Sequence, residues 1–217
     1  MPKIVAISDT HALHEKMGQI PDGDILIHAG DLTNHGELSD VQSFNKWLGA
    51  LPHKHKVVIA GNHDFCFEKR ASQARSLITN AHYLEDQALT IMGVKIYGSP
   101  WQPWFYDWAF NLRRGPALAA VWAKIPLDTD VLVTHGPPFG ILDCTVGKEQ
   151  VGCADLLARI QDLPQIKCHI FGHIHEAYGA VTVCDKVRFK SPSIQFVNAS
   201  ICTLNYRPSN AAVVIEC

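Results

Sequence analysis

The chain has 217 residues, of which 47% are hydrophobic and 18% charged, and its formal net charge is −2 at pH 7. This length suits one domain with a sizeable core. A nearly neutral chain lacks the clustered Lys and Arg that wrap a long nucleic acid, so no such partner is expected. The longest apolar run is far shorter than the ~20 residues of a membrane span, and the amino-terminal run lacks the features of a signal peptide. We therefore expect neither a membrane protein nor a secreted one.

Seven cysteines are scattered through the chain without a Cys-x-x-Cys pair. An odd number of cysteines in a chain with no export signal indicates reduced thiols, which predicts a cytoplasmic location. The twelve histidines are the unusual feature of the composition, because several of them stand directly after apolar runs.

The first predicted strand covers residues 3–8 and is followed by Asp9 and His11. Residues i and i+2 of an extended segment point to the same side, so these two side chains can reach one cation. A second apolar run, residues 24–29, is followed by a glycine and Asp31. Residues 37–51 then carry apolar side chains at helical spacing and are stopped by a proline, which predicts a helix.

The third predicted strand, residues 57–60, carries the largest group of polar residues at its end. Its continuous apolar run predicts a strand that is buried on both faces. A glycine then allows a sharp exit at the carboxyl end, where open α/β sheets bind their ligands. The exit presents the amide of Asn62, the imidazole of His63 and the carboxylate of Asp64. The alternative interpretation is a turn in which Asn62 and Asp64 hydrogen-bond only to their own backbone. After this turn, a helix is predicted over residues 68–78.

The middle of the chain contains a hairpin and an aromatic segment. Residues 88–92 and 94–98 predict two antiparallel strands joined by a tight turn. Residues 99–110 hold six aromatic residues and two prolines without a helical or strand period, which predicts an ordered surface loop. Trp101 and Trp104 in this loop either cover a core or form a wall for the substrate.

Two later predicted strands carry histidines at their ends. Residues 130–134 lead into His135, and residues 166–171 lead through a glycine into His173 and His175. Short helices are predicted beside them, and the other late strands are residues 181–184, 194–197 and 211–215.

The order of the predicted elements indicates the fold class. Helices alternate with strands early and strands dominate late, which predicts an α/β fold of two packed sheets with helices outside. The chain shows no internal repeat, low-complexity segment or linker, so residues 1–217 are expected to form a single domain.

Polar residues thus follow five predicted strands, and they converge if the strand ends share one edge. Imidazole and carboxylate ligands without a thiolate favour Mn, Fe, Zn or Co. Two ions that share a carboxylate lie about 3.5–4 Å apart, which clamps both oxygens of an in-line phosphoryl displacement. The other side chains already supply enough ligands for two ions, so His63 is not needed as a ligand. The candidate metal ligands are Asp9, His11, Asp31, Asn62, His135, His173 and His175.

These five motifs, in this order, resemble the calcineurin-like metallophosphoesterase family over nearly the whole chain. Residues 26–31, 98–106 and 171–179 resemble its metallophosphoesterase-domain-containing branch, known in bacteria and animals and acting on phosphodiesters including cyclic nucleotides. The resemblance implies a sandwich of two mixed β-sheets flanked by α-helices (α/β/β/α) and a phosphodiesterase with two transition-metal ions, manganese first among them. The implied partner is a small phosphodiester or a nucleotide.

The resemblance also implies a role for each residue. Asp31 would bridge the two ions, and a hydroxide shared by the ions would attack phosphorus. His63 would protonate the leaving oxygen. The first ion would be held by Asp9, His11, Asp31 and His175, and the second by Asp31, Asn62, His135 and His173.

One position departs from the family pattern. Many relatives carry a carboxylate three residues after the bridging Asp, where it orients the catalytic His, and here that residue is Asn34. An amide can hold the imidazole but cannot raise its pKa as a charge would. His173, which some animal members lack, is present, so a complete centre is expected. Asp64 is expected to support its loop, and His14 and His35, beside the ligand loops, are candidates for contact with the site.

Three other functions fit the same resemblance. The family contains scaffold proteins that keep the fold without the chemistry, so a non-catalytic interaction module is one alternative. A nuclease is disfavoured by the absence of a basic tract, and a phosphomonoesterase is the third alternative.

Overall fold

The computed structural model describes residues 2–216. Within them the elements follow in this order: β1 (Lys3–Ile7), β2 (Ile25–Ala29), α1 (Leu38–Ala50), β3 (His55–Ile59), α2 (Phe65–Lys69), α3 (Ala71–Leu77), β4 (His82–Tyr83), β5 (Gln87–Ile91), β6 (Val94–Ser99), β7 (Gln102–Pro103), β8 (Asn111–Leu112), α4 (Pro116–Trp122), β9 (Val131–Thr134), α5 (Ala154–Gln161), β10 (Cys168–Phe171), β11 (Gly179–Val183), β12 (Ile194–Asn198) and β13 (Val213–Glu216).

The strands form two mixed sheets and a small ribbon. The first sheet has the order β13-β1-β2-β3-β4, in which β13 alone is antiparallel to its neighbour. The second sheet has the order β11-β12-β10-β9-β6-β5, with parallel strands inside and an antiparallel strand at each edge. The predicted hairpin is confirmed as β5 and β6, which pair from Gln87↔Gly98 to Ile91↔Val94.

Alternation along the strands produces the layers. Ile4 and Ala6 of β1 lie in a core between the sheets, whereas Val5 and Ile7 lie in a core beneath the helices α1 to α3. A third core lies between the second sheet and helices α4 and α5. Each central strand is therefore buried on both faces, which is why its sequence is apolar without interruption. The predicted α/β/β/α sandwich is confirmed.

The segment after β12 joins the two sheets at one edge. Ala199 donates its N–H to Phe171 O of the second sheet, and Ile201 donates to Ser8 O at the end of β1. The chain thus crosses from one sheet to the other where β1 and β10 end. This crossing brings the carboxyl ends of strands from both sheets to one place.

Some predicted elements differ in detail. The helix predicted over residues 68–78 is wrong as a single helix, because α2 and α3 are separated at Arg70. Arg70 has φ −132° and ψ 41°, and its guanidinium donates to Gly36 O at 2.9 Å. The aromatic segment, residues 99–110, is a loop that contains β7, and β7 pairs with β8 directly after the segment. Within residues 2–216, no helix combines the length and the apolar character that crossing a bilayer requires. That residues 1–217 form one domain stays a prediction.

Candidate metal centre

The side chains predicted to bind metal meet at the edge where the two sheets join. They lie in the loops after β1, β2, β3, β9 and β10. Asp9, Asp31 and His135 are at most 1% exposed, and His11 and Asn62 are 3% exposed. His173 and His175 are half-buried at the rim. The structure therefore brings all the predicted ligands together, while the coordination itself stays a prediction.

Two groups of ligand atoms can be distinguished in the cluster. In the first, His175 Nε2 lies 3.4 Å from Asp9 Oδ1 and 3.2 Å from His11 Nε2. Asp31 Oδ2 lies 3.8 Å from His11 Nε2 and so stands beside this group. The three side chains Asp9, His11 and His175 present their ligand atoms within 4.8 Å of one another.

The second group surrounds His135. Its Nε2 lies 3.4 Å from Asp31 Oδ2 and 2.8 Å from Asn62 Oδ1. The ring of His173 lies beside it, with 5.0 Å between the ring centroids. The same oxygen of Asp31 thus faces His11 of the first group and His135 of the second. This is the position that a bridging carboxylate requires.

The hydrogen bonds of two histidines show that the cluster fits metal ions. His135 Nδ1 lies 3.0 Å from Ala29 O, and His175 Nδ1 lies 3.1 Å from Thr203 O. A carbonyl oxygen only accepts, so each Nδ1 carries a proton and each ring directs Nε2 into the cluster, where its lone pair would face a bound metal ion. There Nε2 of His135 faces the oxygen of Asn62 at 2.8 Å. Without metal, a proton on Nε2 occupies this contact. Once that proton is released, the imidazole nitrogen and the amide oxygen are ligands that a transition metal takes.

The charges of the cluster favour the same conclusion. Burial alone would raise the pKa of Asp31, but the charges of His135, His63 and His11 outweigh it and lower the pKa. Burial opposes the charged form of His135, yet Asp31 and Asp9 raise its pKa to about 9. For His11 burial dominates and lowers the pKa to about 4. The buried carboxylates therefore attract positive charge to the middle of the cluster.

The backbone at the ligands is in an uncommon conformation. Asp9, His11, Asp31 and His173 all have positive φ, between 43° and 70°. Non-glycine residues adopt this region at a cost, and four of the proposed ligands share it here. The extended geometry that predicted a shared side for Asp9 and His11 is therefore wrong, because β1 ends at Ile7 and a turn carries both residues. They meet through that turn and not through strand alternation.

Buried hydrogen bonds fix the carboxylate of Asp9. It accepts from the backbone N–H of His173 at 3.0 Å and from Ser200 Oγ at 2.9 Å. Ser200 is positioned in turn by its backbone N–H, which donates to Asn198 Oδ1 at 3.2 Å. The sequence reasoning missed Ser200, and no spacing signal marks it, since it reaches Asp9 only through the crossing of the chain between the sheets. At Gly172 a Cβ would overlap Asp9 Oδ2, so this position requires glycine.

Asp64 holds two of the ligand loops together, as expected. Its Oδ1 accepts from Thr33 N at 2.9 Å and Thr33 Oγ1 at 2.8 Å. Its Oδ2 accepts from Gly61 N at 2.8 Å and Leu32 N at 3.3 Å. Burial, followed by the charge of Asp31, raises its pKa to about 6. The carboxylate thus ties the loop after β2 to the loop after β3.

His63 lies at the edge of the cluster and opens into the cleft. Its backbone N–H donates to Asp31 Oδ1 at 2.8 Å, and its Nε2 lies 4.0 Å from Asp31 Oδ2. Its Nδ1 donates to the backbone carbonyl of Asn34 at 2.6 Å. The predicted contact with the amide of Asn34 is therefore replaced by a main-chain contact, and the side chain of Asn34 is exposed. A neutral backbone carbonyl therefore orients the His63 ring, where many relatives use a carboxylate.

Of the two predicted aromatic residues, Trp104 borders an apolar pocket next to the cleft, whereas Trp101 does not line it. Trp101 donates its indole N–H to Asp86 at 3.2 Å and packs edge-on against Phe110, which favours the first of its two predicted roles, the covering of a core. Trp108 faces the cleft instead, with its ring centroid 4.3 Å from that of His63. The aromatic-rich sequence pointed to the loop but could not tell which ring faces the cleft.

Tyr206, which the sequence reasoning also missed, lies on the opposite side of the cleft. Its ring is 4.8 Å from His11 and 5.5 Å from His175. A cavity of about 450 Å³ opens between Trp108, Tyr206 and the exposed His35. His14, in contrast, is buried against Phe44 and Trp47 and hydrogen-bonded to Ser43, away from the cleft.

Comparison with known proteins places this centre in a family. Residues 2–177 match the calcineurin-like phosphoesterase family. The chain is 44% identical to metallophosphoesterase domain-containing protein 1 of Homo sapiens, over 99% of this chain and 70% of that protein. It is 37% identical to the UPF0046 protein C25E10.12 of Caenorhabditis elegans, over 99% of this chain and 80% of that protein.

A solved structure shares the fold at low sequence identity. The crystal structure of TT1561 of Thermus thermophilus aligns with 93% of this chain and 91% of its own, with a TM-score of 0.58 and 14% identity. The match over most of the sequence, the relatives above 30% identity and the sandwich with its cluster of His and Asp agree with one another. The chain belongs to the calcineurin-like phosphoesterase family.

Proposed function

We propose that this chain is a dinuclear, metal-dependent phosphodiesterase that hydrolyses cyclic nucleotides or other small phosphodiesters. The observation that carries the proposal is the position of Asp31 Oδ2, which faces His11 at 3.8 Å and His135 at 3.4 Å. One carboxylate between two groups of nitrogen ligands suits a pair of metal ions. Manganese is the first candidate, with iron, zinc or cobalt as alternatives.

The chain's residues divide the chemistry among them. Two bound ions would supply Lewis-acid activation of water and of the phosphoryl oxygens. Asp9, His11, Asp31 and His175 would hold one ion, and Asp31 would hold the second together with Asn62, His135 and His173. The hydrogen bonds from the imidazoles to Ala29 O and Thr203 O keep the Nε2 atoms directed inward.

His63 is the proposed general acid. Because its Nδ1–H is held by Asn34 O, its Nε2 is the atom that faces the cleft. In the protonated form Nε2 donates a proton to the departing ester oxygen, a step worth about 10²–10⁴ in rate. The hydrogen bond from its backbone to Asp31 fixes the ring relative to the metal ligands.

The charge of the cleft favours a diester over a monoester. Among the described residues that line the cleft around Asp31 and the cavity beside His63, there is no Lys or Arg. A phosphodiester carries one negative charge, whereas a monoester carries nearly two at pH 7. The less charged substrate needs less compensation beyond the metal ions. The rings of Trp108 and Tyr206 add apolar faces on which a base can stack.

Hydrolysis of bis(p-nitrophenyl) phosphate tests the proposal. Metal-free protein is expected to be inactive, to gain activity with Mn²⁺ and to lose it again on addition of a chelator. Tight binding of two metal equivalents without turnover of any ester would instead support an interaction module. Faster turnover of p-nitrophenyl phosphate than of the diester would support a phosphomonoesterase.

We also propose that the reaction takes place in the cytoplasm, on a small substrate and without a long nucleic acid.

A further inference from the structure

The cleft over the metal ligands is continued by a second, apolar pocket at its His173 end. This pocket has a volume of about 190 Å³ and lies between Trp104, Phe105, Pro137 and Val151. It shares Phe105, His173 and Ile174 with the cleft that contains Asp31 and His63. The cavity beside Trp108 and Tyr206 joins the same cleft at its other end, through His63. The centre is therefore flanked by a pocket on each side.

The two flanking pockets differ in chemistry. The cavity at the His63 end is wide, and His11, His35 and Asn34 are in its wall. The pocket at the His173 end is narrower and more enclosed, and most of its wall is apolar. Arg114 is the one Lys or Arg among the described residues of that wall, and its terminal nitrogens donate to Val151 O and Gly152 O at 2.7 Å. The pocket thus suits a flat, uncharged ring better than an anionic group.

We infer that the pocket formed by Trp104, Phe105 and Val151 binds an aromatic ring on the ester arm that stays attached to phosphorus. This inference rests on the proposed function, because it assigns the two arms of the diester. The arm beside His63 receives the proton and leaves as an alcohol. Water adds to phosphorus, the bond from phosphorus to that arm breaks, and the other arm remains as a phosphomonoester in the apolar pocket.

The arrangement selects a class of diester. In a cyclic nucleotide both ester oxygens belong to one ribose, so the two arms cannot diverge into pockets at opposite ends of the cleft. A linear diester with a base or another aromatic ring on the retained arm can fill both pockets. Within the small phosphodiesters of the proposed function, occupancy of both pockets thus favours a linear, two-armed diester over a cyclic one.

Calorimetric titration with phosphonates tests the pocket without turnover. Phenylphosphonate mimics the retained product with its ring, and methylphosphonate mimics it without the ring. The Mn²⁺-loaded parent should bind phenylphosphonate roughly 5- to 100-fold more tightly, the range expected for contact with one aromatic face. Equal affinities in the parent would overturn the inference.

Four variants locate the ring. Trp104→Ala, whose side chain is 59% exposed, should abolish the preference for phenylphosphonate, and Val151→Phe should do so by filling the pocket. Tyr106→Ala is the matched control, because Tyr106 is an exposed aromatic of the same loop outside the pocket wall. Trp108→Ala should keep the preference. Loss of the preference in Trp108→Ala but not in Trp104→Ala would overturn the inference, because the ring would then lie at the His63 end.

Kinetics separate this inference from the proposed function. Bis(p-nitrophenyl) phosphate and methyl p-nitrophenyl phosphate share a leaving group and differ in the retained arm. Trp104→Ala should raise KM for the first substrate roughly 5- to 100-fold and leave the second nearly unchanged. Equal effects on both substrates would refute the pocket. Absence of turnover in the parent would refute the phosphodiesterase, while the phosphonate titrations would still decide the pocket.

Discussion

Replacement of Asp64 by Ala should destabilise the fold by an amount that follows from its hydrogen bonds. The carboxylate accepts the backbone N–H groups of Leu32, Thr33 and Gly61, all of them buried. The hydroxyl of Thr33 has a second acceptor in His63 O at 3.2 Å, so only the three amides lose their partner. An unsatisfied buried donor costs about 1–3 kcal/mol. For three donors we therefore expect a loss of at least about 3 kcal/mol, which is a large share of the stability of a typical domain.

Asp64→Asn provides the matched control. The amide keeps one oxygen for Thr33 but turns an NH₂ group toward the N–H groups of Gly61 and Leu32. Its loss should be about 2–3 kcal/mol, between the parent and Asp64→Ala. Urea denaturation in the presence of a chelator measures both values without the contribution of bound metal. A loss below about 1 kcal/mol for Asp64→Ala, or an equal loss for the two variants, would refute the assigned role.

Three further predictions address the centre and the core. Asp31→Ala should lose both metal ions and not one, which metal analysis of the purified variant checks; near-full occupancy would remove Asp31 from the bridging position. His63→Ala should retain its metal and lose less activity on a p-nitrophenyl ester than on a ribose ester, because a good leaving group hardly needs a proton. Asn34→Ala should leave the pH–rate profile unchanged, because the backbone carbonyl of residue 34, and not its side chain, accepts the hydrogen bond from His63. Burial lowers the pKa of His169 to about 3. Below about pH 6.5 the unfolded chain binds a proton at His169, whereas the folded chain does not. The free energy of unfolding therefore decreases as the pH is lowered from about 6.5 to about 3. His169→Gln should reduce this fall by about 2–3 kcal/mol at about pH 4.5 in urea denaturation, and an unchanged fall would contradict the assignment.

Local patterns were sufficient to predict most of the elements. Uninterrupted apolar runs predicted the central strands, because a strand between two layers buries both faces. The helix at residues 38–50 and the hairpin at residues 87–99 followed from periodicity and turn residues. The break between α2 and α3 was not predictable, because its stabilising contact joins Arg70 to the distant Gly36. Such a contact has no signature within the helix itself.

The aromatic loop shows the same limit at the cleft. Composition identified residues 99–110 as a loop suited to contact a substrate, but the individual rings occupy different environments. Trp101 is held by Asp86 and lies against the core, Trp104 borders the apolar pocket, and Trp108 lies tilted against the His63 ring. Tyr206 reaches the cleft from a turn near the carboxyl terminus that shares no pattern with this loop. In an irregular segment, side-chain direction depends on the contacts that each residue makes.

The sequence by itself determined the two-sheet fold and the identity of the residues that gather at one edge. It could do so because parallel strands place their carboxyl ends together and because Asp, Asn and His directly after apolar runs are local signals. The tertiary structure alone decided how those residues face one another. The positive φ of Asp9 and His11, the inward direction of His135 and His175, and the main-chain contact between His63 and Asn34 all arise from groups that are distant in the chain. The reason is physical: a hydrogen bond or a backbone turn in a buried site is fixed by partners that only the completed fold brings within about 3 Å.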